Sequence, residues 1–310
     1  MTAENHLLID LGGTHTRVAW GQAQGIMPES MRTYHNRDFT SLENVLAAFL
    51  KDQPGQVAGL CAGVAGPVQG NTAQLTNYNW FIDSHGLKSS TGARDVFLIN
   101  DLQAQGYALD DVPPTSIHIV KSGTPRDTTR AILNIGTGCN CAVVHRVADR
   151  LFVPAAESGH SALAHAQPPL RDLFGYLCKD HSHLPIEAVL SGPGLARVHN
   201  WVSGKMLSPE AVMEMIKSGT YDSQQTLSLF LRVLGATAGD LALHHLPKGG
   251  LYLSGGLGQA IGPYLDASDF LDAFTDKGPY KKIVSEMPIF VIKQNGFALH
   301  GCLRYLLQSL

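Results

Sequence analysis

Cysteine is scarce in this chain of 310 residues. Cys61, Cys139, Cys141, Cys178 and Cys302 are odd in number and scattered, which excludes a disulfide scaffold and points to a reduced compartment. An excess of one charge is also lacking: 23 Lys and Arg against 26 Asp and Glu leave a net charge of −3 and a pI of about 6.5. Neither nucleic acid nor an anionic membrane would be drawn to such a surface. Phosphate on a small molecule stays open, because a nest of backbone N–H groups binds it without bulk positive charge. No run of about 18 apolar residues is present, so no spanning helix is expected. The opening MTAENHLLIDLGG has neither the basic start nor the sustained apolar core of a signal peptide. The expected protein is cytoplasmic, with no nucleic acid and no membrane among its partners.

Two nucleotide signatures are missing as well. G-x-x-x-x-G-K-[ST] does not occur, which excludes a P-loop enzyme. Gly136 and Gly138 are followed by Cys141 where a dinucleotide fingerprint needs its third glycine, which disfavours a dehydrogenase of the Rossmann type. Low-complexity segments and short-period repeats are absent too.

What is present is an ordinary globular composition, 44% hydrophobic and 16% charged, on a chain long enough for two domains. His6 to Asp10 reads as a buried strand ending on a carboxylate, with a Gly-Gly turn and a return strand from Thr16 to Trp20. Thr40-Ser-Leu-Glu43 has the form of a capping box before apolar residues at helical spacing, and Pro54-Gly55 stops that helix. Val57 to Val64 and Val96 to Asn100 read as further strands, the second leading into a helix over 102–109. Pro113-Pro114 is the candidate domain boundary. A second cycle then begins: Arg130 to Ile135 as strand, Gly136-Thr-Gly138 as turn, Cys141 to Arg146 as return strand. Ser208-Pro209-Glu210 predicts a helix start and Gly219 its stop. A longer helix over 226–245, strands over 251–253 and 288–292, and a closing helix over 297–307 complete the reading. Strand, glycine turn and return strand thus occur twice, near residues 12 and 136, as two elements that would clamp a phosphate chain.

Several of these features carry chemistry. In Asp10-Leu11-Gly12-Gly13-Thr14, glycine lets backbone approach phosphate oxygens and reach positive φ, while Thr14 and Thr16 supply hydroxyls. Asp10 is a candidate ligand for Mg²⁺, directly or through water. An ordinary hairpin is the alternative reading. Gly136-Thr137-Gly138 and Ser254-Gly255-Gly256-Leu257 are further phosphate or nucleotide candidates. Asn100-Asp101, at the mouth of an apolar strand, is a candidate acid–base element; Asp101 as a plain helix cap is the alternative. Glu157 and His160 suit sugar hydroxyls, which donate and accept together, against a structural histidine. Metal binding there lacks a second Cys/His pair at ligand spacing. His181-Ser-His183 and His244-His245 read as loop and helix-end residues without function, and Cys139-x-Cys141 as small strand residues.

In combination and order these segments are specific. IDLGGTHTR (9–17), GVAGPV (63–68), LTNYNW (75–80), LINDLQA (98–104), IGTG (135–138), ESGH (157–160), EAVLSGPGL (187–195) and LYLSGGL (251–257) resemble the bacterial glucokinases of the hexokinase–actin superfamily, nearly end to end. The resemblance implies an α/β fold of two RNase H-like, actin-like ATPase domains with a cleft between them: residues 1–112 plus 297–310 as the small domain, 113–296 as the large one. It implies ATP, Mg²⁺ and glucose as ligands, transfer to the 6-hydroxyl, and a homodimer. Asp101 matches the general base, Asn100, Glu157, His160 and Glu187 the sugar ligands, and Asn77 a supporting residue. The turns at 10–14 and 136–138 match phosphate-binding elements, with Gly255 and Gly256 beside adenosine. A kinase for another hexose and a non-catalytic sugar and ATP sensor are the rivals. The chain departs from the family at Cys139-Asn140, where Leu-Gly is common. Asn140 tolerates positive φ, so the turn can survive. Beside phosphate-binding N–H groups Cys139 would gain thiolate character, against the alternative of a buried, inert thiol. The cysteine-rich zinc motif of the related repressor branch is absent.

Overall fold

Six consecutive buried residues, HLLIDL, form β1 (His6–Leu11), the central strand of the first sheet. A run apolar on both faces belongs inside a sheet covered on both sides. The computed structural model describes residues 4–75, 78–123, 129–163, 168–179 and 183–310. They divide into two units: Met1–Pro113, Arg146–Ala155 and Gln294–Leu310 in the first, Pro114–His145 and Ala156–Lys293 in the second.

In the first unit β1 pairs antiparallel with β2 (His15–Gln22), which also pairs with β3 (Gly25–Ile26) and β4 (Arg32–His35). On its other side β1 runs parallel to β5 (Gly59–Val64), and β5 parallel to β9 (Asp95–Asn100). A small antiparallel sheet of β6 (Val68–Gln69), β7 (Thr72–Gln74) and β8 (Phe81–Asp83) lies between them in sequence. Helix α1 (Leu42–Asp52) buries Leu42, Val45, Leu46 and Phe49, and the Phe49 ring lies 5.7 Å from that of Trp20. Its cap differs from expectation. Ser41, not Thr40, is the N-cap, accepting from the Asn44 N–H at 3.4 Å. Glu43 therefore falls at the second helical position, one short of the place from which a capping box closes. Helix α2 (Ser84–Thr91) is capped by Asp83 and ends at left-handed Gly92. Helix α3 (Asp101–Tyr107) follows β9 directly, and α11 (Ala298–Ser309) packs against α3.

The second unit holds a sheet ordered β10 (Ile117–Lys121), β15 (Ile289–Ile292), β14 (Leu251–Ser254), β11 (Arg130–Ile135), β12 (Cys139–Val147). β11 pairs antiparallel with β12 and parallel with β14. Through Arg146 and Val147 the chain leaves this unit for the first, where β13 (Arg150–Phe152) lies. The helices are α4 (Leu170–Leu177), α5 (Gly192–Ser203), α6 (Pro209–Ser218), α7 (Tyr221–His245), α8 (Gly256–Ile261), α9 (Ser268–Thr275) and α10 (Lys281–Ser285). Helix α6 starts and stops as its sequence predicts: Ser208 accepts from the Ala211 N–H, and Gly219 closes it at φ 74°. Helix α7 begins at Tyr221, five residues earlier than read. By length and composition it could cross a membrane, but 72% of its apolar window is buried inside the protein. It is a core helix, packed against α5 and α9.

Candidate active site

Strand register assembles the candidate residues of the first unit. Leu11 of β1 is level with Val64 of β5, and Val64 with Asn100 of β9. Three parallel strands therefore end together, and the turn after β1 and the Asn100-Asp101 pair share one sheet edge. Ligands of open α/β sheets bind at such carboxyl ends.

Asn36, fully buried, holds the first turn. Its Nδ2 donates to the Gly12 carbonyl at 2.8 Å and its backbone N–H to the Thr14 carbonyl at 3.0 Å. Its Oδ1 accepts from the Thr16 hydroxyl at 2.7 Å. Thr16 is thereby tied into the turn's support. Gly12, Gly136 and Gly138 all lie outside the left-handed region, so positive φ is not what glycine supplies there; a Cβ would be tight at Gly12 and Gly138, 3.2 and 3.1 Å from its nearest neighbours. Asp10 is buried and paired with Arg17, 2.9 Å from Nη1 to Oδ2. Burial raises the Asp10 pKa, opposed by the Arg17 charge and hydrogen bond.

Asn100, not Asp101, is the N-cap of α3. Its Oδ1 accepts from the Leu102 N–H at 2.9 Å, and Gln103 returns the bond to the Asn100 N–H at 3.0 Å, closing a capping box. The Asn100 amide also donates to the Gly66 carbonyl at 3.3 Å. Asp101 becomes the first helical residue, with Oδ1 accepting from the Leu102 N–H at 2.8 Å. The cap anchors the backbone from which the Asp101 carboxylate projects. Asn77 lies outside the described residues.

In the second unit Asn134 of β11 is level with Ser254 of β14, so Gly136–Gly138 and Gly255-Gly256 share a sheet edge. Gly255 has φ 85°, and a Cβ there would lie 2.4 Å from the Ile135 carbonyl; glycine is required on both counts. The Gly136 N–H donates to the Gly138 carbonyl at 2.9 Å, and the first N–H of α5, at Gly192, donates to Gly136 at 2.8 Å.

Three polar side chains gather beside this turn. Glu187 Oε2 lies 3.1 Å from where a Gly138 Cβ would sit, and its Oε1 is 3.7 Å from His160 Nδ1. Burial raises the Glu157 pKa; His160 lowers it and Glu187 raises it further. Two carboxylates flanking an imidazole present acceptors and a donor together, as sugar hydroxyls require. His183 Nε2 contacts the His160 carbonyl at 2.8 Å, so this loop histidine lies against the His160 turn. His181 lies outside the described residues.

Residues 139–140 depart from their sequence reading. Strand β12 starts at Cys139, two residues early, and Asn140 is extended, paired with Asn134. Its tolerance of positive φ is not used. Cys139 is buried, and burial drives its pKa far up, with Cys141 and Glu187 adding to the rise; Cys141 is pushed up to about 12 by burial. Of the two readings of Cys139, the structure therefore favours the buried, inert thiol on the return strand over the thiolate. Iodoacetamide on the native protein should label exposed Cys178 and leave Cys139 untouched, as peptide mass spectrometry can read. Native labelling of Cys139 would contradict this placement. Asn36 and Asn140 were not singled out as functional by their motifs. Their partners lie 24 and 16 residues away, beyond any local pattern.

Two α/β units, each with a glycine turn between antiparallel strands at a parallel-sheet edge, define an actin-like kinase fold. The crystal structure of a glucokinase from an Antarctic psychrotroph has this fold with a TM-score of 0.87, 28% identity and 99% coverage of both chains. The glucokinase of Balamuthia mandrillaris in complex with glucose shares the fold at 18% identity, with a TM-score of 0.82 over 99% of this chain and 94% of that one. The chain belongs to the glucokinase family, whose model matches residues 7–309. The glucokinase of Nostoc punctiforme is 30% identical across 94% of this chain and 96% of its own.

Proposed function

We propose that the protein transfers the γ-phosphoryl group of ATP to the 6-hydroxyl of glucose, with Asp101 as general base. The observation that carries this reading is the common end of β1, β5 and β9, which puts the first glycine turn and Asp101 on one sheet edge. Family membership supports the sugar kinase chemistry, and the glucose bound by the Balamuthia glucokinase supports the acceptor.

Phosphoryl transfer asks the protein chiefly for positioning and charge stabilisation. The N–H groups of the two turns hold the phosphates, and Gly255-Gly256 lie beside the adenosine. Glu157, His160 and Glu187 fix the sugar by its hydroxyls, and Asn100 adds the second N–H of its amide. Asp101 takes the proton of the 6-hydroxyl as that oxygen attacks the γ-phosphorus in line. Asp10 is a hard oxygen donor at the mouth of the first turn, and with Arg17 on one oxygen it suits Mg²⁺ through water. Bound there, the ion would neutralise phosphate charge.

A coupled ADP-release assay with Mg-ATP and a panel of glucose, mannose and an amino sugar tests the reading. Glucose should give the highest kcat/KM. Preference for another hexose would reassign the substrate, and no turnover with any sugar would leave a binding protein.

A further inference from the structure

One side chain ties the Glu157 segment to the strand leaving the second glycine turn. Asn140 is the second residue of β12. Its Nδ2 donates to the Ala156 carbonyl at 2.6 Å and reaches Glu157 Oε2 at 3.4 Å. Its Oδ1 accepts from the Ser158 N–H at 2.9 Å and from the adjacent Cys141 N–H at 2.8 Å. The chain is thus held on both sides of Glu157. Gly159 completes the seam, since a Cβ there would lie 1.7 Å from the Cys139 carbonyl. Residues 158–160 then form one short helical turn that delivers His160 to Glu187, beside Gly138.

A single turn of helix at a loop end has little order of its own. Sugar discrimination depends on polar groups held where the right hydroxyl meets them and the wrong one leaves them unpaired. We propose that Asn140 is a positioning and specificity-determining residue, fixing Glu157 and the His160 turn onto β12 so that sugar selectivity depends on a side chain that touches no sugar. This rests on the reading of Glu157 and His160 as sugar ligands. Glycine at 140 would make none of the four contacts. Aspartate would keep the acceptor toward Ser158, lose the donor toward Ala156 and set a second carboxylate against Glu157.

The test compares the parent with Asn140→Gly, Asn140→Asp and Glu157→Gln, using Mg-ATP with glucose and with its 2-epimer mannose. A misplacement of about 1 Å can cost roughly 10²-fold, and partial loosening should cost less. Both Asn140 variants should raise the glucose KM by about tenfold and shrink the glucose-over-mannose ratio of kcat/KM, with ATP KM and kcat within about threefold of the parent. Near-isosteric Asn140→Asp keeps the test valid should Asn140→Gly not fold. If Glu157→Gln raises the glucose KM and the Asn140 variants do not, the positioning role is wrong and the sugar-ligand reading stands. If ATP KM rises as much as glucose KM, Asn140 serves the nucleotide turn and the proposal is overturned. If Glu157→Gln also leaves glucose KM unchanged, both fall together.

Discussion

Asp101→Asn is expected to lower kcat by about 10²–10⁴-fold, the usual cost of losing a general base, while glucose binding measured by calorimetry stays close to that of the parent. The substitution keeps the shape of the side chain. Its Oδ1 can still accept from the Leu102 N–H, and the Asn100–Gln103 capping box that starts α3 is untouched. What it removes is the ability to take a proton. The fold should therefore survive, and the loss should appear in turnover rather than in KM. Normal glucose binding with turnover within about threefold of the parent would take the base role away from Asp101.

Gly301→Ala should unfold the first unit more easily, by about 3 kcal/mol or more, at the upper end of overpacking costs. In an exposed helix interior the same change is stabilising by up to about 1 kcal/mol, so the prediction is one of sign as well as size. Its cause is the crossing of α11 and α3. A Cβ on Gly301 would lie 1.7 Å from the Ala104 carbonyl oxygen and 3.0 Å from the Ala108 nitrogen. Both obstacles are backbone, and no rotamer change relieves them. Across α3 there is no slack, because a Cβ on Gly63 of β5 would already meet the Ala104 Cβ at 3.0 Å. At roughly 2–4 °C per kcal/mol, thermal denaturation should start some 6–12 °C lower. Because α3 begins at Asp101, kcat should fall as well. A melting temperature unchanged or raised would show that the two helices do not meet through Gly301.

The strands were legible because buried parallel strands are continuous apolar runs: HLLID, VAGLCAGV and VFLIN appear in the structure with one end shifted by a residue or two, and Arg130–Ile135 with both ends in place. Helix ends were legible where the punctuation is local, as at Ser208-Pro209 and Gly219. They slipped where two hydroxyl residues compete, as at Thr40 and Ser41, because only packing chooses between adjacent caps. The phosphate turns stood out by their glycines. The asparagines behind them were not legible as supports: Asn36 carries no local signal and Asn140 reads only as a tolerant turn residue until folding brings Gly12 and Ala156 to them. Sequence alone leaves Cys139 open between a thiolate and an inert thiol for a related reason. Its neighbours in sequence point to an electropositive turn, whereas its neighbours in space are the buried seam with Gly159 and the carboxylate of Glu187.

The central claim is transfer of phosphate to the 6-hydroxyl of glucose, and the most direct measurement is the product itself. The protein is incubated with Mg-ATP and ¹³C-labelled glucose and followed by ³¹P and ¹³C NMR. The account predicts ADP and a glucose monoester in equal amounts, with phosphorus–carbon coupling at C6 and C5 and none at C1 or C2. Phosphate on any other hydroxyl, or ADP formed no faster than without glucose, would contradict it.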